Sequence, residues 1–74
     1  MTKKEWEAEV GDVLSAERVP WRPSSCWCDQ RGATAWADVT HVGNGKSKTL
    51  SVSLDRFPTA SQRRGEILRQ VQER

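Results

Sequence analysis

The sequence predicts an α+β fold in which two helices cover one face of a three-stranded antiparallel sheet, in the order α-β-β-β-α. Apolar residues recur at helical spacing near each end of the chain, and the middle alternates with the two-residue period of strands. The length of 74 residues is that of one domain. We therefore expect residues 1–74 to form a single small domain.

The first helix is predicted by an apolar stripe and by a start signal. The stripe consists of Trp6, Val10, Val13 and Leu14. Thr2 and Glu5 have the spacing of a capping box, in which each side chain satisfies a free amide of the first turn. Pro20 and Pro23 end the pattern, so residues 19–25 are expected to form an extended linker.

Three strands are predicted over 25–30, 33–42 and 48–57. Residues 43–45 read Gly-Asn-Gly and tolerate the positive φ angles that a hairpin between the last two strands needs. The face expected to meet the helices carries Ala35, Ala37 and Val39 on the second strand and Leu50, Val52 and Leu54 on the third. The opposite face is then predominantly polar.

The second helix is predicted to follow Pro58, which stops the last strand. Thr59 and Gln62 form another possible capping box. The helical stripe consists of Ala60, Arg64, Ile67, Leu68 and Val71. Gly65 interrupts this helix and destabilises it by about 1 kcal/mol relative to alanine.

The Cys-Trp-Cys segment admits two registers. Either Cys26 and Cys28 face the helices and Trp27 faces outward, or Trp27 enters the core and the thiols are exposed. Free cysteine behaves as a small, usually buried apolar residue, and exposed paired thiols oxidise easily. These properties favour the register with the thiols inward.

The same segment does not predict redox or metal chemistry. A Cys-x-Cys pair lacks the Cys-x-x-Cys spacing of thiol oxidoreductases. Structural zinc needs four ligands, and Cys26, Cys28 and His41 supply at most three, so Asp29 or Asp38 would have to be the fourth. We expect no metal and no cofactor. Because no Ser-His-acid set or other catalytic pattern is present either, we expect that the protein is not an enzyme.

Composition and charge limit where the protein acts. No apolar run approaches the roughly 20 residues of a membrane span, and residues 1–10 lack the apolar core of a secretory signal. We therefore expect a cytoplasmic protein without membrane contact, whose two cysteines are reduced. Residues 1–17 are net acidic and residues 18–74 net basic, a layout that suits either nucleic acid or an acidic protein surface.

The outward sheet face is the first predicted binding surface. Trp27 and Trp36 share it, with Arg31, Lys46 and Lys48 at its edge. Exposed rings beside cations stack unpaired bases, and the same composition is typical of protein interfaces. Alternatively, both rings pack on the 19–23 segment and form a small cluster with Trp21.

The start of the second helix is the second predicted surface. Arg63 and Arg64 lie in its first turn, where the helix dipole disfavours positive charge. Two guanidinium groups beside the free amides of that turn would bind an anion such as a phosphate. Alternatively, these arginines are solvated or bridge to acids of the first helix.

Two weak resemblances involve the same part of the chain. The α-β-β-β-α order and the basic segment 61–66, Ser-Gln-Arg-Arg-Gly-Glu, resemble double-stranded RNA-binding domains, in which a basic second-helix start grips phosphates. The Gly-Pro-x-His loop of those domains is absent and the first helix is acidic, so we assign no family. Residues 49–67 also resemble part of the three-stranded DNA-reading domains of some integrases.

The sequence thus predicts a non-catalytic macromolecule-binding domain, with nucleic acid slightly favoured over protein. The alternative is a small protein-binding module, or an inhibitor of the phage or mobile-element type, that occupies a site on a larger host protein or nucleoprotein complex. Its acidic first helix would then enter a basic groove through Glu5, Glu7, Glu9 and Asp12. A homodimer joined through the Trp-bearing face is a third possibility.

Overall fold

A helix, three antiparallel strands and a second helix follow one another along the chain, so the predicted α+β fold and element order are confirmed. The computed structural model describes residues 1–29, 31 and 33–72. The elements are α1 Lys3–Ala16, β1 Trp21–Cys28, β2 Thr34–His41, β3 Ser47–Ser53 and α2 Ala60–Gln72. The strands form one open antiparallel sheet in the order β1-β2-β3.

Helix α1 begins at the predicted capping box. The Glu5 amide donates to Thr2 Oγ1 at 3.2 Å and the Thr2 amide donates to Glu5 Oε1 at 3.0 Å. The hydrogen bond from the Thr2 amide to the Glu5 carboxylate is the main reason that the pKa of Glu5 is lowered. The helix ends at Ala16, and the chain leaves it through Arg18, whose φ of 53° lies in the left-handed region. This sharp exit directs the chain back toward the sheet.

Strand β1 begins earlier than the sequence predicts. The expected linker over 19–25 is wrong from Trp21 onward, because these residues pair with β2 as far as Trp21 opposite His41. Pro23 is tolerated because β1 is an edge strand, where a missing amide donor need not break the ladder. A bulge between Pro23 and Ser25 shifts the register at this point. Position 30 of the predicted first strand lies outside the described residues.

The core lies between one sheet face and the two helices. It is made of Trp6, Val10, Val13, Leu14, Val19, Cys26, Ala35, Ala37, Val39, Leu50, Val52, Ile67 and Val71. The alanines of β2 lie in the middle of the sheet and leave room for the large ring of Trp6, which is fully buried. Trp6 Nε1 donates to the Trp36 carbonyl oxygen at 2.8 Å and so ties α1 to the backbone of the central strand.

A hairpin with a five-residue loop, 42–46, joins β2 to β3, as predicted. Gly45 adopts a φ of 72°, which suits glycine, and its amide donates to the His41 carbonyl at 3.0 Å. His41 Nδ1 accepts from the amides of Gly43 and Asn44. The predicted third strand extends beyond Ser53 and is too long there, because the chain turns through 54–56.

Helix α2 lies along the outer edge of β3. Its predicted cap is present, since the Gln62 amide donates to Thr59 Oγ1 at 3.2 Å. The Gln70 side-chain amide accepts from the Ser51 amide and donates to the Ser51 carbonyl. It thus makes the two hydrogen bonds that a neighbouring strand would make with Ser51 at this edge of the sheet. Ile67 and Val71 are the buried residues of this helix.

Candidate functional site

The Cys-Trp-Cys segment adopts the predicted register. Cys26 lies opposite Ala37 and Cys28 opposite Ala35, on the helix-facing side of the sheet, whereas Trp27 points away. Cys26 is 2% exposed and Cys28 half-buried, and both are free thiols. Burial raises the pKa of both thiols, which disfavours the reactive thiolate. The cysteines therefore serve packing.

A pair of tryptophans occupies the opposite face, which we call the outer face. Trp27 and Trp36 lie directly across from each other on β1 and β2. Their rings stack with centroids 6.1 Å apart and planes 17° apart. Trp27 is 36% exposed and Trp36 is half-buried. The stack thus presents an aromatic surface to solvent.

The third strand-borne tryptophan does not join this stack. Trp21 lies on the helix-facing side, where its ring makes a T-shaped contact with His41 at 5.0 Å between centroids. Lys48 Nζ lies 4.9 Å from the Trp21 ring centroid and donates to the Gln70 carbonyl. Because Trp21 is on the other face, no cluster of the three rings forms.

Hydroxyl groups surround the tryptophan pair. The outer face carries Thr34, Thr40, Thr49, Ser51 and Ser53, in line with the predominantly polar face that the sequence predicts. The Thr49 hydroxyl donates to Asp38 Oδ1 at 2.6 Å, so this acid is partly satisfied within the sheet. Within the described part of the face, aromatic and hydroxyl groups outnumber charges.

The three cations predicted to flank this face lie in three different places. Lys48 is on the helix-facing side, as described above, so its predicted position beside the tryptophans is wrong. Lys46 is exposed at the β2–β3 turn, where its carbonyl accepts from the His41 amide. His41 lies five residues along β2 from Trp36, which at about 3.3 Å per residue is about 16 Å away. Arg31 is exposed in the β1–β2 connection, where its amide donates to Asp29 Oδ1 at 2.6 Å. Of the three, Arg31 is nearest along the chain to the stacked rings.

Arg63 and Arg64 bridge the two helices. The Arg63 guanidinium binds both carboxylate oxygens of Glu9, with Nε to Oε2 at 2.7 Å and Nη2 to Oε1 at 2.8 Å. It also donates to the carbonyls of Phe57 and Pro58. Hydrogen bonding to Glu9 raises the pKa of Arg63. Arg64 pairs with Glu17. These contacts correspond to the bridging alternative and leave Arg63 little capacity for a phosphate.

A polar cleft of about 470 Å³ opens beside the tryptophan pair, between β3 and α2. It is lined by Thr34, Ser51, Ser53, Arg56, Phe57, Glu66, Arg69 and Gln70. Arg69 hydrogen bonds to Glu66 and lowers the pKa of its carboxyl, while burial acts in the opposite direction. The sequence reasoning did not identify Arg56 and Arg69, since the cleft exists only after α2 packs along β3.

No cofactor site emerges from the described residues. Among residues 1–29, 31 and 33–72, no group of three or more His, Cys, Asp and Glu side chains is arranged to hold a metal ion. Neither of the two described helices is long and apolar enough to cross a membrane. Comparisons with protein-family models, curated proteins and solved structures find no significant match for this chain.

Proposed function

We propose that this protein is a non-catalytic nucleic-acid-binding domain that contacts its ligand through the outer face. The observation that carries the proposal is the stacked, partly exposed pair of Trp27 and Trp36 beside a cleft that contains two arginines. Two free thiols fit a reducing, cytoplasmic compartment.

The chemistry of the face supports this function. Base–aromatic stacking contributes about 1–3 kcal/mol per base, whatever the base. The centroids of the Trp27 and Trp36 rings are 6.1 Å apart, so two neighbouring bases of an unpaired strand can each contact one ring. The surrounding hydroxyls are small donors and acceptors that do not cover the rings. Arg56 and Arg69 supply positive charge at one side.

A titration of labelled single- and double-stranded DNA and RNA tests the proposal. Trp27→Leu should weaken binding about tenfold, which corresponds to the loss of one stacked base at about 1.4 kcal/mol. Trp27→Phe should retain most of the affinity because it keeps an aromatic face. Lys4→Gln on α1 is the charge control and should leave the affinity nearly unchanged.

The salt dependence and the absolute affinity decide the outcome. Binding should weaken as salt rises, since displaced counterions accompany phosphate contacts. If none of the four nucleic acids binds more tightly than about 100 μM at low salt, which is the weak end of non-specific binding, the proposal is wrong.

A protein partner is the second candidate, and the exposed acids of α1 favour it. Glu7 and Asp12 are exposed and have no ion-pair partner among the described residues. Both lie on α1, which covers the sheet face opposite the tryptophans, and exposed acids on this helix would suit a basic groove of a host protein or nucleoprotein complex, as an inhibitor of the mobile-element type would use. Capture experiments with nuclease-treated lysate separate the candidates. A partner lost in Glu7→Gln/Asp12→Asn but kept in Trp27→Leu supports this candidate.

A further inference from the structure

The cleft and the tryptophan pair belong to one row across the molecule. Trp27 is the cross-strand partner of Trp36, and Trp36 is the cross-strand partner of Ser51. The Gln70 side chain of α2 hydrogen bonds to the Ser51 backbone. Two strand spacings separate Trp27 from Ser51, about 10 Å in all.

The far end of this row carries donor groups suited to an anion. Arg56 lies over the Phe57 ring, with its guanidinium carbon 5.9 Å from the ring centroid, and is exposed to solvent. The hydroxyls of Ser51 and Ser53 line the cleft beside it. Glu66 is the one acid among the described lining residues, and its side chain is only 9% exposed. With Arg56 and Arg69 against Glu66, the described part of the lining has an excess of one positive charge.

We propose, on the basis of the nucleic-acid binding proposed above, that this cleft holds a backbone phosphate of an unpaired strand whose bases stack on Trp27 and Trp36. Arg56 provides the charge, and the serine hydroxyls donate hydrogen bonds to the phosphate oxygens. The strand then crosses the sheet from β1 toward α2, instead of running parallel to the β-strands.

An unpaired strand is the form of nucleic acid that the geometry favours. An exposed ring can stack only on a base whose own face is open, and a duplex encloses those faces between neighbouring base pairs. The described residues of the outer face are also hydroxyl-rich and weakly charged, without the broad cationic surface that binds duplex backbones through several phosphates. One charged cleft at the end of an aromatic platform matches a short single-stranded footprint.

The experiment compares two probes and one pair of variants. The probes are a labelled oligothymidylate of about 12 nucleotides, within the usual site size of single-strand binders, and a hairpin duplex of similar length. The test variant is Arg56→Gln and the control is Lys4→Gln, each an exposed cation changed to the same neutral residue. Thermal melts confirm that both variants remain folded.

We expect the oligothymidylate to bind at least about tenfold more tightly than the hairpin. Arg56→Gln should weaken oligothymidylate binding about five- to tenfold and lower the slope of log K against log salt by about 0.7, the value for one phosphate on a single strand. Lys4→Gln should change neither quantity appreciably. With an uncharged methylphosphonate backbone, Arg56→Gln should have no further effect.

The outcomes separate this inference from the function on which it rests. If the hairpin binds as well as the oligothymidylate, or if Arg56→Gln leaves the affinity and salt slope unchanged, the cleft inference fails and nucleic-acid binding stands. If neither probe binds at low salt, both the cleft inference and the proposed nucleic-acid-binding function fail.

Discussion

Removing the Arg63 guanidinium tests whether this residue holds the helices together or binds the ligand. The Arg63–Glu9 pair joins residues that are 54 positions apart, and the two side chains are 11% and 16% exposed. Arg63 also donates to two carbonyls of the segment that leads into α2. Arg63→Gln therefore removes a bidentate ion pair and two charged hydrogen bonds at once.

The burial of the pair determines the expected magnitude. Exposed ion pairs contribute about 0–1 kcal/mol, whereas breaking a fully buried pair by removing one partner costs about 3–5 kcal/mol. With most of both side chains covered, the structure places the loss between these limits, at about 2 kcal/mol. For a domain of this size, 1 kcal/mol shifts the melting temperature by about 4–8 °C. We therefore expect Arg63→Gln to lower it by about 8–16 °C.

The assay is urea and thermal unfolding of Arg63→Gln, Glu9→Gln and the double variant. A coupling free energy of about 1–2 kcal/mol between the two positions is expected for direct partners in a shared network. At a temperature where every variant is folded, the oligonucleotide affinity of Arg63→Gln should equal that of the wild type. If Arg63→Gln has the melting temperature of the wild type but a much lower oligonucleotide affinity, the reasoning is refuted and Arg63 belongs to the binding site.

Two further predictions concern stability alone. The pKa of Glu66 is lowered in the folded state from its ordinary value of 4.5, so its ionised form stabilises the protein above that pH and this contribution disappears as the pH falls below it. Glu66→Gln should therefore lower the free energy of unfolding in urea melts at about pH 7 and much less at about pH 3. An equal loss at both pH values would contradict this account. Gly65 is an exposed position of α2 with open space around it, so Gly65→Ala should raise the free energy of unfolding by about 0.5–1 kcal/mol. Gly45→Ala should lower it by about 1 kcal/mol because φ there is 72°. Changes of the same sign in calorimetry would show that backbone conformation does not decide the effect at these two positions.

The fold was predictable because local patterns and global packing agree in most of the chain. The capping residues of both helices and the alternation of β2 and β3 each specify their element with little help from distant contacts. The register of Cys26, Trp27 and Cys28 followed from the preference of small thiols for the core. Pro23 concealed the first half of β1, since only the position of this strand at the sheet edge makes a proline acceptable there.

The candidate site was less predictable because it depends on contacts between distant residues. The neighbouring sequence does not distinguish Arg63, which forms an ion pair with Glu9, from Arg56, which lines the cleft. Lys48 is different, since the alternation that directs Leu50 toward the helices directs Lys48 there as well. That position was therefore available from the sequence, whereas the cleft required the docking of α2 along β3.

The two margins of the sheet have a consequence for how the protein behaves at high concentration. An edge strand whose amide and carbonyl groups are unpaired is a template onto which strands of further copies can add to form fibrils. On one side the Gln70 side chain already fills the hydrogen-bonding positions of Ser51. On the other, Pro23 and the adjoining bulge disrupt the regular spacing that an incoming strand would need. Both margins of this small open sheet are thus interrupted, at Ser51 and at Pro23, which disfavours edge-to-edge addition of further copies.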